Sequence, residues 1–329
     1  MASASSPTRC PSGPRSSRGA MIFIVGATAS GKTDLAVALA RALGGEVVSA
    51  DSRQIYRELR AGTAKPARDG QARVAGIPYH LIDCVGVAEA FDVGRWTRAA
   101  RTIAADIRRR GRLPIVAGGT GLYFKALGEG LTALPARDEA LRRRLAEEAR
   151  TRGRAWLHQR LSQVDARAAS IIPANNIQRV IRALEVRELS GRPISTLWSE
   201  GRSNGLDESG LGPAVVLRID WPAEELRRRI CARAEAMWPA MIDEARRLIL
   251  EFSGAEPGLL SLGYPEAMAC ARGELGLDIG LQRLMRATCA YAKRQRTWFR
   301  HQLDAAAISG AQTEEMLRQA LRIYAPIAR

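Results

Sequence analysis

The sequence predicts an α/β fold with a parallel sheet, interrupted by a stretch that is almost entirely helical. Short apolar runs alternate with amphipathic helical patterns from residue 21 to about residue 130, which is typical of a parallel sheet. Helical patterns with hardly any strand signal then occupy residues 136–205. One further apolar run, residues 213–220, precedes long helical patterns that continue to the end of the chain.

Composition narrows the class of protein. With 329 residues, 46% hydrophobic and 26% charged, the chain can bury the core of one large or two modest domains, and no apolar run approaches the ~18 residues of a membrane span. Five scattered cysteines and three histidines give no zinc-binding spacing and favour a reduced, cytoplasmic protein. The net charge of +16 favours a polyanionic partner such as nucleic acid, with solvated charged faces as the alternative.

The domain boundaries follow from changes in composition. Residues 1–20 are rich in Ser, Pro, Gly and Arg without any acid, which predicts a disordered basic tail rather than an amphipathic transit peptide. We predict an α/β core formed by residues 21–135 and 206–329, with residues 136–205 as a helical insert.

The first strand and helix enclose a phosphate-binding motif. Residues 21–25, MIFIV, predict a buried strand, and residues 33–43 predict a helix that ends at Gly44. The segment between them, GATASGKT, fits the pattern G-x-x-x-x-G-K-[ST], in which backbone N–H groups cradle phosphate, the lysine adds charge and the last hydroxyl is a Mg²⁺ ligand. The predicted polyphosphate-binding residues are Gly26, Ala27, Thr28, Ala29, Ser30, Gly31, Lys32 and Thr33, with Thr33 as the Mg²⁺ ligand.

The second strand leads directly to an acid. Residues 45–50, GEVVSA, predict this strand, and Asp51 follows it. Ligands of open α/β sheets lie beyond the carboxyl ends of the strands, so Asp51 should lie near the phosphate loop as a substrate-side base or an outer Mg²⁺ ligand. On this motif alone an equally good interpretation is that Asp51 caps the following helix.

A further buried strand lacks the acid that nucleotide hydrolases use. Residues 91–111 show helical spacing, and RLPIVAGGTG, residues 112–121, predicts a strand and a glycine turn. Nucleotide hydrolases usually end such a strand with a carboxylate for Mg²⁺, whereas this one ends in glycines, which allow close approach of a substrate, and Thr120. The pattern argues against a motor-like ATPase.

Two stretches carry polar and basic residues at helical spacing. Residues 175–189 contain an apolar stripe that includes Val180 and Ile181. The residues outside this stripe form the opposite face of the helix, and such a face is normally solvated. These outward residues are expected to be Gln178, Arg179, Arg182 and Glu185. In YAKRQRTWFR, residues 291–300, aromatic residues alternate with cations, which suits stacking and phosphate contact on RNA.

Together these stretches closely resemble the tRNA dimethylallyltransferases, or tRNA isopentenyltransferases, of the bacterial type. The matching segments are GATASGKT, SADSRQIYRELRAGTAKP, IPYHLID, VAGGTGLYFKALGEGL, QRVIRALEV and YAKRQRTWFR. The resemblance implies transfer of a dimethylallyl group from dimethylallyl diphosphate to N6 of the adenosine immediately 3′ of the anticodon, in tRNAs reading codons that begin with U. It implies a P-loop NTPase-like parallel sheet core with an inserted α-helical domain, Mg²⁺ on the diphosphate and a tRNA anticodon arm gripped between core and insert. It does not imply a protein partner.

The resemblance also implies roles for individual residues. Asp51 would accept the N6 proton and Thr120 would lie near the reacting groups. Lys32, Arg233 and the backbone amides of residues 28–33 would stabilise the leaving diphosphate, and the adenine would flip out of its stack. The residues matched to tRNA-contacting stretches are Asp51, Ser52, Arg53, Gln54, Thr120, Arg142, Gln178, Arg179, Val180, Ile181, Arg182, Lys293, Arg294, Gln295, Arg296 and Arg300.

Some positions depart from the family pattern. Ala27 replaces the usual proline of the loop, and Asn176 stands where an aspartate is common. The sequence around Gly263 and Tyr264 also differs, which leaves an RNA contact at this pair open.

Three rival functions share part of the pattern. A phosphate-loop kinase of a small metabolite would share the loop and Asp51, and it predicts ATP dependence without any effect of tRNA. An adenylate isopentenyltransferase would use free AMP, which needs no extended basic surface. An RNA-binding protein with the loop as a switch predicts tight RNA binding without turnover.

Overall fold

The computed structural model describes residues 20–66, 73–201, 206 and 211–327. The described residues form two compact units, one made of those that lie within Met1–Gly128 and Ser209–Arg329 and the other of those within Glu129–Glu208. Of the predicted basic tail, residues 1–19 lie outside the described residues. Ala20 is buried in the core of the first unit, so the tail prediction is wrong at this residue.

A mostly parallel sheet forms the centre of the first unit. Its strands within the described residues are β1 (Met21–Gly26), β2 (Gly45–Ser49), β3 (Arg73–Val74), β4 (Ile77–His80), β5 (Leu113–Gly118), β6 (Ala214–Asp220) and β7 (Ala306–Ser309). They lie in the order β3-β4-β2-β5-β1-β6-β7, and only β3 and β4 pair antiparallel. Every residue of β1, β2 and β5 is buried, as expected where helices cover both faces of a parallel sheet.

The described residues form helices along the rest of both units. These helices are α1 (Lys32–Leu43), α2 (Val93–Arg109), α3 (Gly121–Glu129), α4 (Glu139–Arg152), α5 (Arg154–Val164), α6 (Ala166–Ile171), α7 (Ile177–Ser190), α8 (Ile194–Ser199), α9 (Ala223–Glu251), α10 (Tyr264–Ala271), α11 (Leu277–Gln302) and α12 (Thr313–Tyr324). None of them combines the length and the apolar character that crossing a membrane requires.

The sheet confirms the long strands of the prediction and adds three short ones. The predicted strands at residues 21–25, 45–50, 112–118 and 213–220 correspond to β1, β2, β5 and β6. The expectation of helices alone after residue 220 is wrong, because β7 pairs in parallel with β6. A strand of four residues such as β7 has almost no pattern of its own and depends on its neighbour.

The second unit has a separate apolar core. Helices α4, α5, α6, α7 and α8 contribute to this core, with Leu145, Leu157 and Leu184 among its buried members. Val180 and Ile181 also lie there, fully buried. These side chains stabilise the unit from inside, and the contacts of these two residues with tRNA stay a prediction.

Candidate active site

The phosphate loop lies between β1 and α1, where the sequence pattern predicts it. Gly26 and Gly31 adopt positive φ angles of 158° and 88°, and a Cβ at Gly26 would lie 3.0 Å from the Ser30 Oγ. Inside the loop, Lys32 Nζ donates to the carbonyl oxygen of Ala27 at 2.6 Å. The loop thus closes around its own lysine, and this geometry requires glycine at the first position.

Lys32 is the most perturbed cation of the site. Its removal from bulk water lowers the pKa of Lys32 to about 8, the charge of Arg233 acts in the same direction, and Asp51 opposes both. No carboxylate of the described residues contacts this buried ammonium group, which is therefore suited to bind an anionic ligand.

Helix α9 supplies two arginines to the loop. Arg233 Nη2 donates to the Thr28 hydroxyl at 2.5 Å, and Arg229 Nε donates to the Ala29 carbonyl at 2.9 Å. Neither guanidinium forms an ion pair with an acid of the described residues. The sequence analysis did not identify Arg229 as a residue of the site. Its position one helical turn before Arg233 places both on one face of a helix and could have indicated it.

Gln295 of α11 connects the phosphate loop to the end of β5. Its Oε1 accepts from the Thr28 N–H at 2.8 Å, and its Nε2 donates to the Gly119 carbonyl at 2.8 Å. The side chain is only 7% exposed, and the tRNA contact of Gln295 stays a prediction. The Thr28 amide is also engaged here, so the loop offers phosphate the amides of residues 29–33 rather than 28–33.

Asp51 follows β2 in a turn and not at the start of a helix. Its Oδ1 accepts from the N–H groups of Arg53 at 2.8 Å and Gln54 at 3.4 Å, so the helix-cap alternative is wrong. The Asp51 charge acts on both Lys32 and Arg233. Asp51 is thus electrostatically coupled to the phosphate loop, as its place at the strand end predicts.

Thr120 and Gln54 hold the turn around Asp51. The Thr120 hydroxyl accepts from the Ser52 N–H at 3.1 Å, and the Thr120 N–H donates to the Ala50 carbonyl at 3.1 Å. Gln54 is 8% exposed and accepts from the Ser49 hydroxyl, and its tRNA contact stays a prediction. Arg53 is exposed beside this turn.

The glycine pair after β5 serves close packing. A Cβ at Gly118 would lie 2.1 Å from the carbonyl oxygen of Ala50, and one at Gly119 would lie 2.4 Å from Gln295 Nε2. Protein atoms therefore occupy the space that a side chain would need at either position, while both glycines line the first cavity. This close packing also accounts for the absence of a carboxylate at Gly118 and Gly119, since no side chain fits there.

Two cavities meet at Asp51. The first has a volume of about 570 Å³ and contains the phosphate loop, and the second has a volume of about 420 Å³ with a more apolar lining. The apolar residues that line the second cavity are Ile230, Ala234, Met237, Leu260, Leu262 and Leu284. The residues that line both cavities are Thr28, Asp51, Thr63, Arg233 and Tyr291. The residues shared by the two cavities therefore include an acid, a cation, two hydroxyl groups and the phenol of Tyr291. Burial raises the pKa of Tyr291 to about 12.

The basic residues predicted in the second unit are largely paired with one acid. Glu185 is 0% exposed, which contradicts the expectation that it faces away from the apolar stripe. Its carboxylate forms ion pairs with Arg142 at 3.3 Å and Arg182 at 2.7 Å. It also accepts a hydrogen bond from the Asp138 N–H at 2.8 Å. Gln178 accepts from Arg142 at 3.0 Å.

The basic stretch of α11 has a different environment. Lys293 and Arg294 are exposed and Arg296 is half-buried, and none of the three forms an ion pair with an acid of the described residues. Arg300 lies 4.0 Å from Asp220. In the second unit, Arg179 is exposed and likewise has no acidic partner among the described residues.

The fold and this site define a phosphate-loop α/β enzyme, and comparisons with known proteins identify its family. Residues 54–302 match the family model described as IPP transferase, and residues 19–76 match the one described as isopentenyl transferase. A tRNA dimethylallyltransferase of Anaeromyxobacter sp. (strain K) is 45% identical over 93% of this chain and 97% of the relative. The chain therefore belongs to the IPP transferase family, and it is a transferase.

Solved structures confirm the fold. The tRNA isopentenylpyrophosphate transferase of Bacillus halodurans has a TM-score of 0.67 and 32% identity, covering 94% of this chain and 97% of the other. A eukaryotic dimethylallyltransferase has a TM-score of 0.75 at 23% identity, covering 92% of this chain and 78% of the other. The resemblance stated from the motifs and the P-loop NTPase-like fold class are both confirmed.

Proposed function

We propose that this protein transfers a dimethylallyl group from dimethylallyl diphosphate to N6 of an adenosine in tRNA. The adenosine is the one immediately 3′ of the anticodon, in tRNAs that read codons beginning with U. The proposal rests on one observation: Asp51, Thr28 and Arg233 line both the phosphate-loop cavity and the more apolar cavity next to it. The relatives named tRNA dimethylallyltransferase support tRNA as the acceptor.

The phosphate loop and α9 act on the leaving group. As the bond between C1 of the dimethylallyl group and the diphosphate oxygen breaks, its electron pair goes to the diphosphate. Lys32 and Arg233 supply positive charge where that negative charge develops, and the amides of residues 29–33 add hydrogen bonds. Removing one donor of this kind commonly costs about 3–4 kcal/mol of transition-state stabilisation.

Asp51 acts on the nucleophile. Adenine N6 is weakly nucleophilic because its lone pair is delocalised into the ring, so it must lose a proton as the N6–C1 bond forms. One oxygen of Asp51 is held by the N–H groups of Arg53 and Gln54, and the other is free to accept that proton as a general base. Thr120 supports this arrangement through its bond to the Ser52 amide.

We propose that Mg²⁺ binds together with the diphosphate. Thr33 lines the first cavity together with Asp34 and Asp51, and hydroxyl and carboxylate oxygens are ligands that fit Mg²⁺. Thr33 would hold the ion together with phosphate oxygens. When bound, Mg²⁺ neutralises charge on the diphosphate and so makes it a better leaving group.

The tRNA contacts are proposed on basic residues without acidic partners. Lys293, Arg294 and Arg296 of α11 and Arg179 of α7 meet this condition among the described residues, and Arg53 is exposed next to Asp51. Cations of this kind release counterions from RNA phosphates, which makes binding salt-dependent. We also propose a cytoplasmic location, in keeping with the free thiols of the described cysteines.

A labelling experiment tests the proposal. The protein is incubated with labelled dimethylallyl diphosphate, Mg²⁺ and either tRNA or AMP, and we expect label in tRNA alone. Label in AMP but not in tRNA would contradict the assignment and identify an adenylate prenyltransferase. RNA binding without any turnover would indicate a binding protein, and ATP consumption independent of tRNA would indicate a kinase.

The variant Asp51→Asn tests the role of the base. We expect transfer to be nearly abolished while tRNA affinity stays largely intact, because the proton acceptor is lost but the shape is kept. Single-turnover rates and filter binding measure the two quantities. Near-normal turnover would remove Asp51 from this role.

A further inference from the structure

The loop that follows Asp51 is anchored to a buried carboxylate outside the site described above. Glu244 of α9 is 5% exposed and forms no ion pair within the described residues. Its oxygens accept from the Arg60 N–H at 3.1 and 3.0 Å and from the Ala61 N–H at 3.2 Å. The hydroxyl of Tyr264 donates to the same carboxylate, so this charge is satisfied almost entirely by a loop backbone.

Tyr264 closes the anchor from the other side. Its ring is completely buried, and its hydroxyl accepts from the Gly62 N–H at 3.1 Å. A Cβ at Gly62 would lie 2.6 Å from the ring, so the loop lies flat on the tyrosine. Burial and the charge of Glu244 raise the pKa of Tyr264. The RNA contact left open for Gly263 and Tyr264 therefore does not involve the tyrosine side chain.

The anchored loop continues to the reacting centre. Thr63 lines both cavities, and the carbonyl oxygens of Thr63 and Ala64 accept from Gln54 Nε2, each at 3.4 Å. The backbone N–H of Gln54 in turn donates to Asp51 Oδ1 at 3.4 Å. Covalent and hydrogen bonds thus connect Glu244 to the carboxylate of Asp51 without interruption.

We propose that Glu244 and Tyr264 are positioning residues that hold Asp51 in its reactive orientation. The proposal rests on the proposed function, since it requires Asp51 to be the base. A loop with several backbone donors has many conformations, and a buried carboxylate that accepts from its N–H groups selects one of them. Reaction rates are sensitive to displacements of about 1 Å at the reacting groups, so loosening the anchor should affect the transfer step.

The variant Glu244→Gln tests the proposal, because it keeps the size of the side chain and loses its charge and one acceptor. We expect the single-turnover transfer rate to fall about tenfold. The affinity for inorganic pyrophosphate, which probes the phosphate loop, should change less than about twofold, because α9 still presents Arg229 and Arg233 to the loop. A parallel loss of pyrophosphate affinity would contradict a role confined to Asp51.

A double-mutant cycle separates positioning from a general loss of folded protein. In an Asp51→Asn background, adding Glu244→Gln should lower the residual rate less than about twofold, because the residue to be positioned is already disabled. Equal factors in both backgrounds would overturn the proposal. If Asp51→Asn alone keeps a normal rate, the proposed function of Asp51 fails. If only Glu244→Gln is without effect, the positioning role fails.

Two more variants complete the test. Tyr264→Phe removes one hydroxyl and keeps the ring, and we expect a loss of about threefold in the same step, which carries the test should Glu244→Gln not fold. Asp165→Asn is the matched control, because Asp165 is a buried carboxylate that accepts from the N–H groups of Ala168 and Ser195, both at 2.9 Å, in the second unit. A comparable rate loss in this control would contradict the proposal.

Discussion

The basic residues of the two units differ in what they contact, although both units have strongly basic stretches. In the second unit, Arg142 and Arg182 both turn inward to the buried carboxylate of Glu185. In the first unit, Arg233 bonds to a phosphate-loop hydroxyl, and Lys293 has no acidic partner among the described residues. The positive charges that make up the net charge of +16 are therefore not equally able to bind an anion. Cations that are paired with a buried acid stabilise the structure, whereas cations without an acidic partner can bind a ligand.

The largest effect should come from removing the inward arginines of the second unit. In the double variant Arg142→Ala and Arg182→Ala, Glu185 is left buried without a cation, which should lower the free energy of unfolding by about 3–5 kcal/mol. Urea unfolding measures it.

A matched pair of arginines provides the control for this variant. Arg144 and Arg160 share the more exposed Glu188, and replacing both by Ala should cost no more than about 1 kcal/mol. Unchanged stability of the first double variant, with weakened tRNA binding, would make Arg142 and Arg182 tRNA contacts after all.

The next effect is expected at the phosphate loop. Arg233→Ala should lower the transfer rate by a factor of about 10²–10³, because the cation acts where charge develops on the leaving group. Steady-state kinetics with labelled donor measures it. Arg246→Ala on the same helix is the control, since Arg246 is exposed and paired with Asp243. A loss below about threefold would exclude the proposed role of Arg233.

A smaller effect is expected on the basic face of α11. Replacing Lys293 and Arg296 by Ala should weaken tRNA binding about tenfold and reduce the slope of log affinity against log salt by about 1.4–1.8. Filter binding over a range of salt concentrations measures both. The control replaces Arg246 and Arg318, which are exposed and paired with acids of their own helices. An unchanged slope would show that α11 does not contact tRNA phosphates.

The smallest effect concerns pH. Because the pKa of Lys32 is lowered to about 8, raising the pH from 7 to 8.5 deprotonates most of this residue in the free protein, and pyrophosphate affinity should fall about threefold. The variant Lys32→Arg stays charged over this range, so the ratio of the two affinities isolates the lysine from the titration of pyrophosphate itself. A ratio independent of pH would contradict this assignment.

The parts of the molecule that the sequence predicted are those with strong local patterns. The phosphate loop has a fixed spacing between a strand and a helix, and Asp51 follows a strand whose carboxyl end must face the site. The short strands β3, β4 and β7 have no comparable pattern. Their pairing depends on neighbouring strands that are already in place.

Contacts between distant residues cannot be predicted from local patterns. Gln295 lies in a stretch that resembles a tRNA-contacting one, yet the partners of its side chain are Thr28 and Gly119, far away in the sequence. Glu185 is expected to face outward because it does not belong to the apolar stripe of its helix, and it is buried instead. Its spacing of four residues from the buried Ile181 places both on one helix face, and this signal could have found it.

The close packing of Gly118 also limits what evolution or design can make of this fold. A nucleotide hydrolase of this type carries a Mg²⁺-binding acid at the end of the corresponding strand. Here the smallest added side-chain atom would collide with the Ala50 carbonyl at 2.1 Å. Conversion of this chain into a nucleotide hydrolase is therefore not accessible by a single substitution at Gly118, because the backbone after β2 would first have to move away from β5.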